Sequence, residues 1–260
     1  MKKIEILMNF KSNKIKAKVA ILFTMSLCLL VLIKISSWWS ELNGNLVLKH
    51  IIISNTSMID NKEYHKLVDQ FLGYSLDELF IGDISQILEE HPYVKASRVS
   101  KWFPSTIRIE LIERKPIAIL NIPPIVLLDK DGFVLPNKQS KTDFNLPILN
   151  KFNPDSILYP YGDKVLSINV ENCIYWLGKI KMEYPTFYED ISEMKMTSDN
   201  DINIILSEYP TNIYLGKNDI WSKINILKKF ENELYPKKLS DFSYLDMRFN
   251  NQVIAKNRAL

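Results

Sequence analysis

An uncharged apolar stretch near the N-terminus limits what this chain can fold into more than any other feature. Residues 19–33 carry no charge, although fifteen residues alone are short for a membrane span, which needs about 20. Lys34 can extend its methylenes toward lipid headgroups, and Trp38 and Trp39 suit the aromatic belt at the interface. Residues 19–39 as a helix cover roughly 31 Å. The sequence therefore predicts a transmembrane helix over residues 19–39.

The charge on either side of this stretch predicts its orientation. Residues 1–18 contain six lysines and one glutamate, whereas the whole chain has a net charge of +3. All of the excess positive charge thus lies in the head. Because positive flanks stay inside, we expect a cytoplasmic head and an exported body. The body has no basic field, so we expect no nucleic-acid partner.

Two other interpretations of the apolar stretch are a cleaved signal peptide and a buried helix of a soluble protein. A signal peptide is followed by small residues of the Ala-x-Ala type, and residues 36–39, Ser-Ser-Trp-Trp, are a poor cleavage site. A buried helix is not expected between a lysine-rich head and a tryptophan pair. The pattern favours the uncleaved anchor.

The first seventy exported residues predict a small α+β module. Its elements are a strand at 46–53, a helix that Asp60 caps and Gly73 ends, a helix at 83–90, and strands at 93–100 and 105–111. This order predicts a three-stranded sheet with both helices on one side.

Strands and turns dominate after Pro116. Residues 129–132, Asp-Lys-Asp-Gly, predict a hairpin turn, because a calcium loop places its glycine at position 6. Further elements are helices at 165–184 and 221–234, strands at 191–196, 202–207 and 211–215, and a final hairpin of 242–249 and 252–256 that turns at Asn250-Asn251.

The sequence carries no motif of a catalytic or metal site. The histidines at 50, 65 and 91 are too far apart for a short metal motif, and we expect His91 to face solvent. Cys28 lies in the predicted span, so Cys173 has no partner for an intrachain disulfide and is predicted to be a core residue. Neighbouring carboxylates fall at turns and helix ends, where they are solvated. We expect no cofactor, no metal, no small-molecule substrate and no enzymatic activity.

Residues 94–118, VKASRVSKWFPSTIRIELIERKPIA, resemble the hallmark stretch of the bacterial cell-division family FtsQ/DivIB. Residues 128–134, 146–147, 213–216 and 244–249 are similar to four further motifs of that family. The resemblance runs from the anchor to about Lys256. It departs at Ser54-Asn55 and at Asn150, where the family has glycine at a turn.

The resemblance implies an α+β protein with a cytoplasmic head (1–18), a transmembrane helix (19–39), a POTRA domain (46–114) and a C-terminal β-domain (115–256) with flanking helices. It also implies a non-enzymatic bitopic scaffold of the divisome. Such a scaffold lies in the inner membrane at the septum, binds FtsB- and FtsL-like partners, and recruits or regulates septal peptidoglycan synthesis.

The mechanism that we expect is strand addition to the last strand of an open sheet. The positions matching the family's partner-binding edge are Phe249, Gln252, Val253, Ile254, Ala255 and Lys256. Phe249 is the expected aromatic anchor. Asp246 and Arg248 are expected to hold the hairpin itself. Arg98, Trp102 and Pro104 either shape a bend or face a partner of the POTRA domain.

Two alternative functions remain at this point. A POTRA-like module also occurs in envelope proteins that assist outer-membrane assembly or secretion, although those usually carry a barrel or tandem modules. A membrane-tethered hydrolase would need a polar pocket containing carboxylates with strongly shifted pKa values.

Overall fold

The computed structural model describes residues 2–42, 46–137, 145–197, 199–249 and 252–258, with the side chains of the first helix described from 18 to 39. This helix, α1 (Lys2–Leu42), contains the predicted span. Within it, Lys18–Trp39 is long and apolar enough to cross a membrane, with a mean hydropathy of 2.4 and none of that window buried against protein. The predicted apolar helix is confirmed.

The N-terminal module has the predicted order of elements. They are β1 (His50–Ser54), α2 (Asn61–Val68), α3 (Ile81–Glu89), β2 (Val94–Trp102) and β3 (Thr106–Glu113). The sheet has the order β1-β3-β2, with β1 parallel and β2 antiparallel to the central β3. Asp60 caps α2 by accepting the Lys62 N–H, and Gly73 adopts φ +90° after the helix, which suits a residue without Cβ.

One strand boundary was predicted wrongly. The first strand begins at His50, not at residue 46, because the preceding backbone pairs with a different segment. The Leu48 N–H donates to the Tyr74 carbonyl, and the Leu48 carbonyl accepts from Gly73. The chain therefore enters the module beside residues 73–76 before it joins the sheet.

The C-terminal domain is built on one nine-stranded sheet with the order β12-β11-β10-β9-β8-β7-β4-β5-β6. Its elements are β4 (Pro116–Leu120), β5 (Val126–Asp129), β6 (Val134–Pro136), β7 (Ile148–Asn150), α4 (Ile168–Glu183), α5 (Pro185–Asp190), β8 (Ile191–Met196), β9 (Ile202–Leu206), β10 (Asn212–Gly216), α6 (Ile220–Leu234), β11 (Phe242–Asp246) and β12 (Ile254–Asn257). The predicted 129–132 turn joins β5 to β6.

Two details of the helices differ from the prediction. Pro185 does not merely end the long helix; it opens the short helix α5, where its missing N–H needs no partner. The long helix starts at Ile168 and not at 165, because the Val165 N–H donates to the Gly132 carbonyl.

Two apolar clusters form the core. The larger one lies in the C-terminal domain and includes Cys173, which is fully buried as predicted. The smaller one fills the N-terminal module and also takes in Leu127 of β5 and Leu135 of β6. The two units therefore share apolar packing at the β6 end of the large sheet.

The predicted solvent exposure of His91 is wrong. Its side chain is 12% exposed and meets the Tyr64 ring edge-on at 5.1 Å between centroids. Its Nδ1 accepts the Tyr93 N–H at 3.3 Å. His91 is covered here because its ring packs on Tyr64 and accepts the Tyr93 N–H, and these contacts come from outside its own helix end.

Candidate partner-binding edge of the C-terminal sheet

The last strand, β12, lies at one end of the nine-stranded sheet. All four of its residues are exposed. It pairs antiparallel with β11 through Tyr244↔Lys256, Leu245↔Ala255 and Asp246↔Ile254. Within the described residues no strand pairs with its other side. We call that side the open edge.

Three hydrogen bonds establish which backbone groups of β12 face the open edge. Lys256 and Arg258 turn toward β11, because the Lys256 carbonyl accepts the Ser243 hydroxyl at 3.1 Å and the Arg258 N–H donates to the Asp241 carbonyl at 3.1 Å. Just beyond β11, the Met247 N–H points away from β12, because it donates to the Tyr214 carbonyl of β10. Since backbone groups alternate along a strand, Ala255 and Asn257 direct their N–H and C=O groups outward.

The end of β12 is fixed by an arginine beyond the predicted hairpin. The Arg258 guanidinium donates to the Phe242 carbonyl at 3.1 Å and to the Thr211 hydroxyl at 3.3 Å. Asn257 and Arg258 were both missed at the sequence level. A polar residue followed by an arginine near a chain end is no signal of strand pairing.

The two faces of β12 differ in chemistry. Residues directly opposite each other share a face, so Ile254 and Lys256 lie on the same face as Tyr244 and Asp246. Ala255 lies on the other face with the fully buried Leu245. Val253, half-buried, packs against the core of the domain. On one face, side chains of an added strand would meet both apolar and polar side chains. On the other face, they would extend the apolar core.

Asp246 and Arg248 form a bidentate pair at the end of β11. The Arg248 Nε donates to Asp246 Oδ1 at 2.9 Å, and the terminal nitrogen donates to Oδ2 at 2.6 Å. Hydrogen bonding from Arg248 lowers the pKa of Asp246. The guanidinium also lies 5.4 Å from the centre of the Tyr214 ring. That this pair holds the hairpin stays a prediction.

The remaining predicted positions lie on both sides of the hairpin turn. Phe249 is 51% exposed, and Gln252 is exposed. Asn250 and Asn251, the predicted turn, lie outside the described residues. The structure thus brings Ile254, Ala255 and Lys256 together on one exposed strand.

Arg98, Trp102 and Pro104 lie in a different part of the molecule. All three are exposed on β2 and the turn that follows it, in the N-terminal module. The Arg108 guanidinium lies 5.3 Å from the centre of the Trp102 ring. They do not form one site with β12.

A cavity of about 680 Å³ lies between the two units and is lined by β3, the 129–131 turn and α4. Two of its carboxylates, Glu113 and Asp131, have lowered pKa values. Burial opposes the shift, but hydrogen bonds from the amides of Ser57 and Met58 lower the pKa of Glu113. A hydrogen bond from Lys95 lowers the pKa of Asp131. A general acid needs the opposite shift.

A smaller cavity of about 220 Å³ contains Asp190 and Glu231, and burial raises the pKa of both. Its other polar groups, Glu208, Lys238 and Ser240, bond to one another. In the described part of the chain, no group of three His, Cys, Asp or Glu side chains could hold a metal ion.

Comparison with known proteins identifies both units. Residues 46–114 match the family model of the FtsQ-type POTRA domain, and residues 116–256 match that of the FtsQ/DivIB C-terminal related domain. The cell division protein FtsQ of Syntrophotalea carbinolica is 23% identical over 208 residues, which are 80% of this chain and 73% of the relative. FtsQ of Rhodothermus marinus is 22% identical over 258 residues, covering 96% of this chain and 90% of the relative. FtsQ of Geotalea daltonii is 20% identical over 210 residues, covering 80% and 75%. The chain is therefore a member of the FtsQ/DivIB family of bacterial cell-division proteins.

Proposed function

We propose that this protein is a non-enzymatic bitopic scaffold of the divisome whose open edge binds an FtsB- or FtsL-like partner by strand addition. In this proposal the head (1–18) is cytoplasmic, and the POTRA domain (46–114) and β-domain (115–256) face outward at the septum. The contact helps to recruit or regulate septal peptidoglycan synthesis. The observation that carries it is that, among the described residues, no strand pairs with the outward backbone groups of Ala255 and Asn257 on the exposed β12.

The backbone supplies the affinity in this mechanism. A partner strand would pair with the outward N–H and C=O groups of Ala255 and Asn257, each otherwise bonded to water. Side chains then select the partner. Ile254 and Lys256 present an apolar and a cationic contact on one face, while the small Ala255 leaves room for a larger apolar side chain on the core face.

Phe249 would anchor the other end of the contact. Its half-exposed ring follows the Asp246–Arg248 pair, which fixes the backbone at that point. Large aromatic side chains dominate many interfaces. We expect Phe249→Ala to weaken partner binding at least about tenfold, equivalent to 1.4 kcal/mol.

A proline at residue 255 tests strand addition directly. Ala255→Pro removes one outward N–H and leaves the inward bonds of Ile254 and Lys256 to β11, a position where edge strands accept proline. Val253 is a poorer place for this test because its side chain packs on the core. Ala255→Thr, which keeps the N–H, is the matched control.

The measurement is titration of the purified full-length protein with the exported segment of its FtsB-like partner. We expect Ala255→Pro to weaken binding more than tenfold and Ala255→Thr to bind within a few-fold of the native chain. Thermal unfolding checks that both variants keep the fold. Equal binding by both variants would overturn strand addition, and normal division of cells depleted of the protein would overturn the divisome role.

A further inference from the structure

We infer that the end of the POTRA domain nearest the span is a lipid-binding surface, in which Leu72, Tyr74, Trp102 and Phe103 lie in the membrane interface. We call these four side chains the apolar tip. The inference rests on α1 spanning the membrane and is independent of what binds the open edge.

Three segments meet where the chain enters the domain. The Lys49 N–H donates to the Ser105 carbonyl at 2.9 Å, which joins the entry to the β2–β3 turn. The Leu48 N–H donates to the Tyr74 carbonyl at 2.9 Å, which joins it to the segment after α2. Because β1 runs parallel to β3, both strands lead away from this end. The residues in these two turns therefore lie at the entry point.

The side chains at this end are large, apolar and exposed. Trp102 is 54%, Phe103 60%, Tyr74 60% and Leu72 42% exposed. Exposed apolar side chains are ordinary when scattered, but a group of them on adjoining turns marks an interaction surface. Trp and Tyr in particular are enriched at the membrane interface.

Chain length keeps this end close to the lipid. Helix α1 ends at Leu42, and the Leu46 carbonyl already accepts the Leu76 N–H of the domain. Four Cα steps cover at most about 15 Å. With the short helical rise from Trp39, the entry point stays within about 20 Å of the interfacial tryptophans.

Basic groups flank the apolar tip and suit phosphate headgroups. Lys49 is exposed at the entry, and Lys101 and Arg108 are half-buried beside Trp102. Arg108 also pairs with Glu110 at 3.4 Å. The carboxylate nearest Leu72 along the chain, Asp69, is 3.1 Å from His65. Aromatic rings with adjoining cations are typical of segments that lie in the interface plane, so we assign a bilayer surface as the occupant.

The test uses the full-length protein in nanodiscs that hold one copy each. A polarity-sensitive fluorophore is attached to single cysteines: Phe103→Cys at the tip, and Glu90→Cys at the far end of the same domain. Both carry Cys28→Ser, while native Cys28 labels the span as the positive control. Cys173 stays unlabelled because it is fully buried and burial raises its pKa to about 12.

We expect the label at 103 to emit at shorter wavelength than the label at 90 and to be quenched by lipids carrying a nitroxide near the headgroup. In a second experiment the label is attached at Tyr74→Cys, and Trp102→Asp should reduce its quenching. This variant tests the contribution of Trp102 to lipid contact with the label at a different residue of the tip. A label at 103 as solvent-exposed as the label at 90 would overturn the inference. So would quenching that appears only with two copies per disc or with an added partner protein, since a protein would then cover the tip.

Discussion

The two edge strands of the nine-stranded sheet differ in how their outer sides are covered. At the β6 end, the Val134 N–H donates to the Asp163 carbonyl, and the Val134 carbonyl accepts from Gly162. The Leu135 side chain is fully buried in the core of the POTRA domain. We call this end the covered edge. At the β12 end, the outward groups of Ala255 and Asn257 have no such loop in the described part of the chain.

If the open edge binds a partner as proposed, the difference between the two edges separates residues that stabilise the fold from residues that recognise the partner. Unpaired strand edges invite uncontrolled pairing, and proteins usually cover or charge them. Here the covered edge is closed by the 162–163 loop and by the POTRA domain. In the described residues the open edge has the charge of Lys256 and the hydrogen bonds of Arg258 instead. Substitutions at the covered edge should therefore change unfolding, and those at the open edge should change binding.

The largest expected contrast is between the two arginine–carboxylate pairs. Arg114 and Asp129 support the turn to β6 with side chains 10% and 3% exposed, while Arg248 and Asp246 at the open edge are 50% and 10% exposed. Arg114→Met leaves the buried Asp129 without its cationic partner, while its Oδ1 still accepts the N–H groups of Asp131 and Phe133. This variant should lower the free energy of unfolding by about 3 kcal/mol. Arg248→Met should cost about 1 kcal/mol or less. Urea unfolding followed by fluorescence measures both, and equal losses would contradict the comparison.

A second contrast uses one apolar side chain from each edge. Leu135→Ala removes a fully buried side chain that joins the two domains, and we expect a loss of about 2–5 kcal/mol. Ile254→Ala trims a side chain that is 42% exposed and should change stability by about 0.5 kcal/mol or less. Partner titration should reverse the order, with the Ile254 variant weakened. A Leu135 variant with native stability would mean that the β6 end is not held by this packing.

The sequence was sufficient to predict the elements but not how the two edges differ. Alternation of Ile107, Ile109 and Leu111 predicted β3 because that face is buried, and the hairpin at 129–132 followed from its glycine. Nothing in residues 134–136 indicates that a loop thirty residues later bonds to Val134. That pairing depends on tertiary contacts, which local periodicity does not contain.

For the open edge, too, the sequence predicted the strand but not the tertiary contacts that orient it. The family motif located the last hairpin, and Ile254 to Lys256 do form an exposed edge strand. Which amides face outward depends on the hydroxyl of Ser243, which donates to β12, and on the carbonyls of Asp241 and Tyr214, which accept backbone N–H groups. The anchor Arg258 lies beyond the motif. His91 was placed wrongly for a similar reason, because packing against Tyr64 and not its position before proline decides its exposure.

The pair at the open edge also predicts a dependence on pH. Hydrogen bonding from Arg248 lowers the folded-state pKa of Asp246, so the pair stabilises the fold above the unfolded pKa of about 3.9. That contribution is lost as the pH falls through the folded pKa. The stability difference between the native chain and Arg248→Met should therefore shrink from neutral pH to below about pH 4. Urea titrations at several pH values measure it, and a constant difference would show that the charge of Asp246 is not what Arg248 stabilises.

The smallest contrast compares one hydroxyl at each edge. Tyr93 donates to the Pro136 carbonyl at 2.8 Å at the covered edge, and burial raises its pKa to about 12, so the donor proton stays in place. Ser243 donates to the Lys256 carbonyl at 3.1 Å at the open edge. Tyr93→Phe should lower the free energy of unfolding by about 0.5–1.5 kcal/mol and leave partner binding unchanged. Ser243→Ala should leave the free energy of unfolding nearly unchanged and weaken partner binding. The exposed hydrogen bond adds little to stability, but it keeps β12 in place for a partner strand. Thermal unfolding and partner titration of both variants would distinguish the roles, and a Ser243 variant that lost stability but not binding would mean that β12 belongs to the fold more than to the interface.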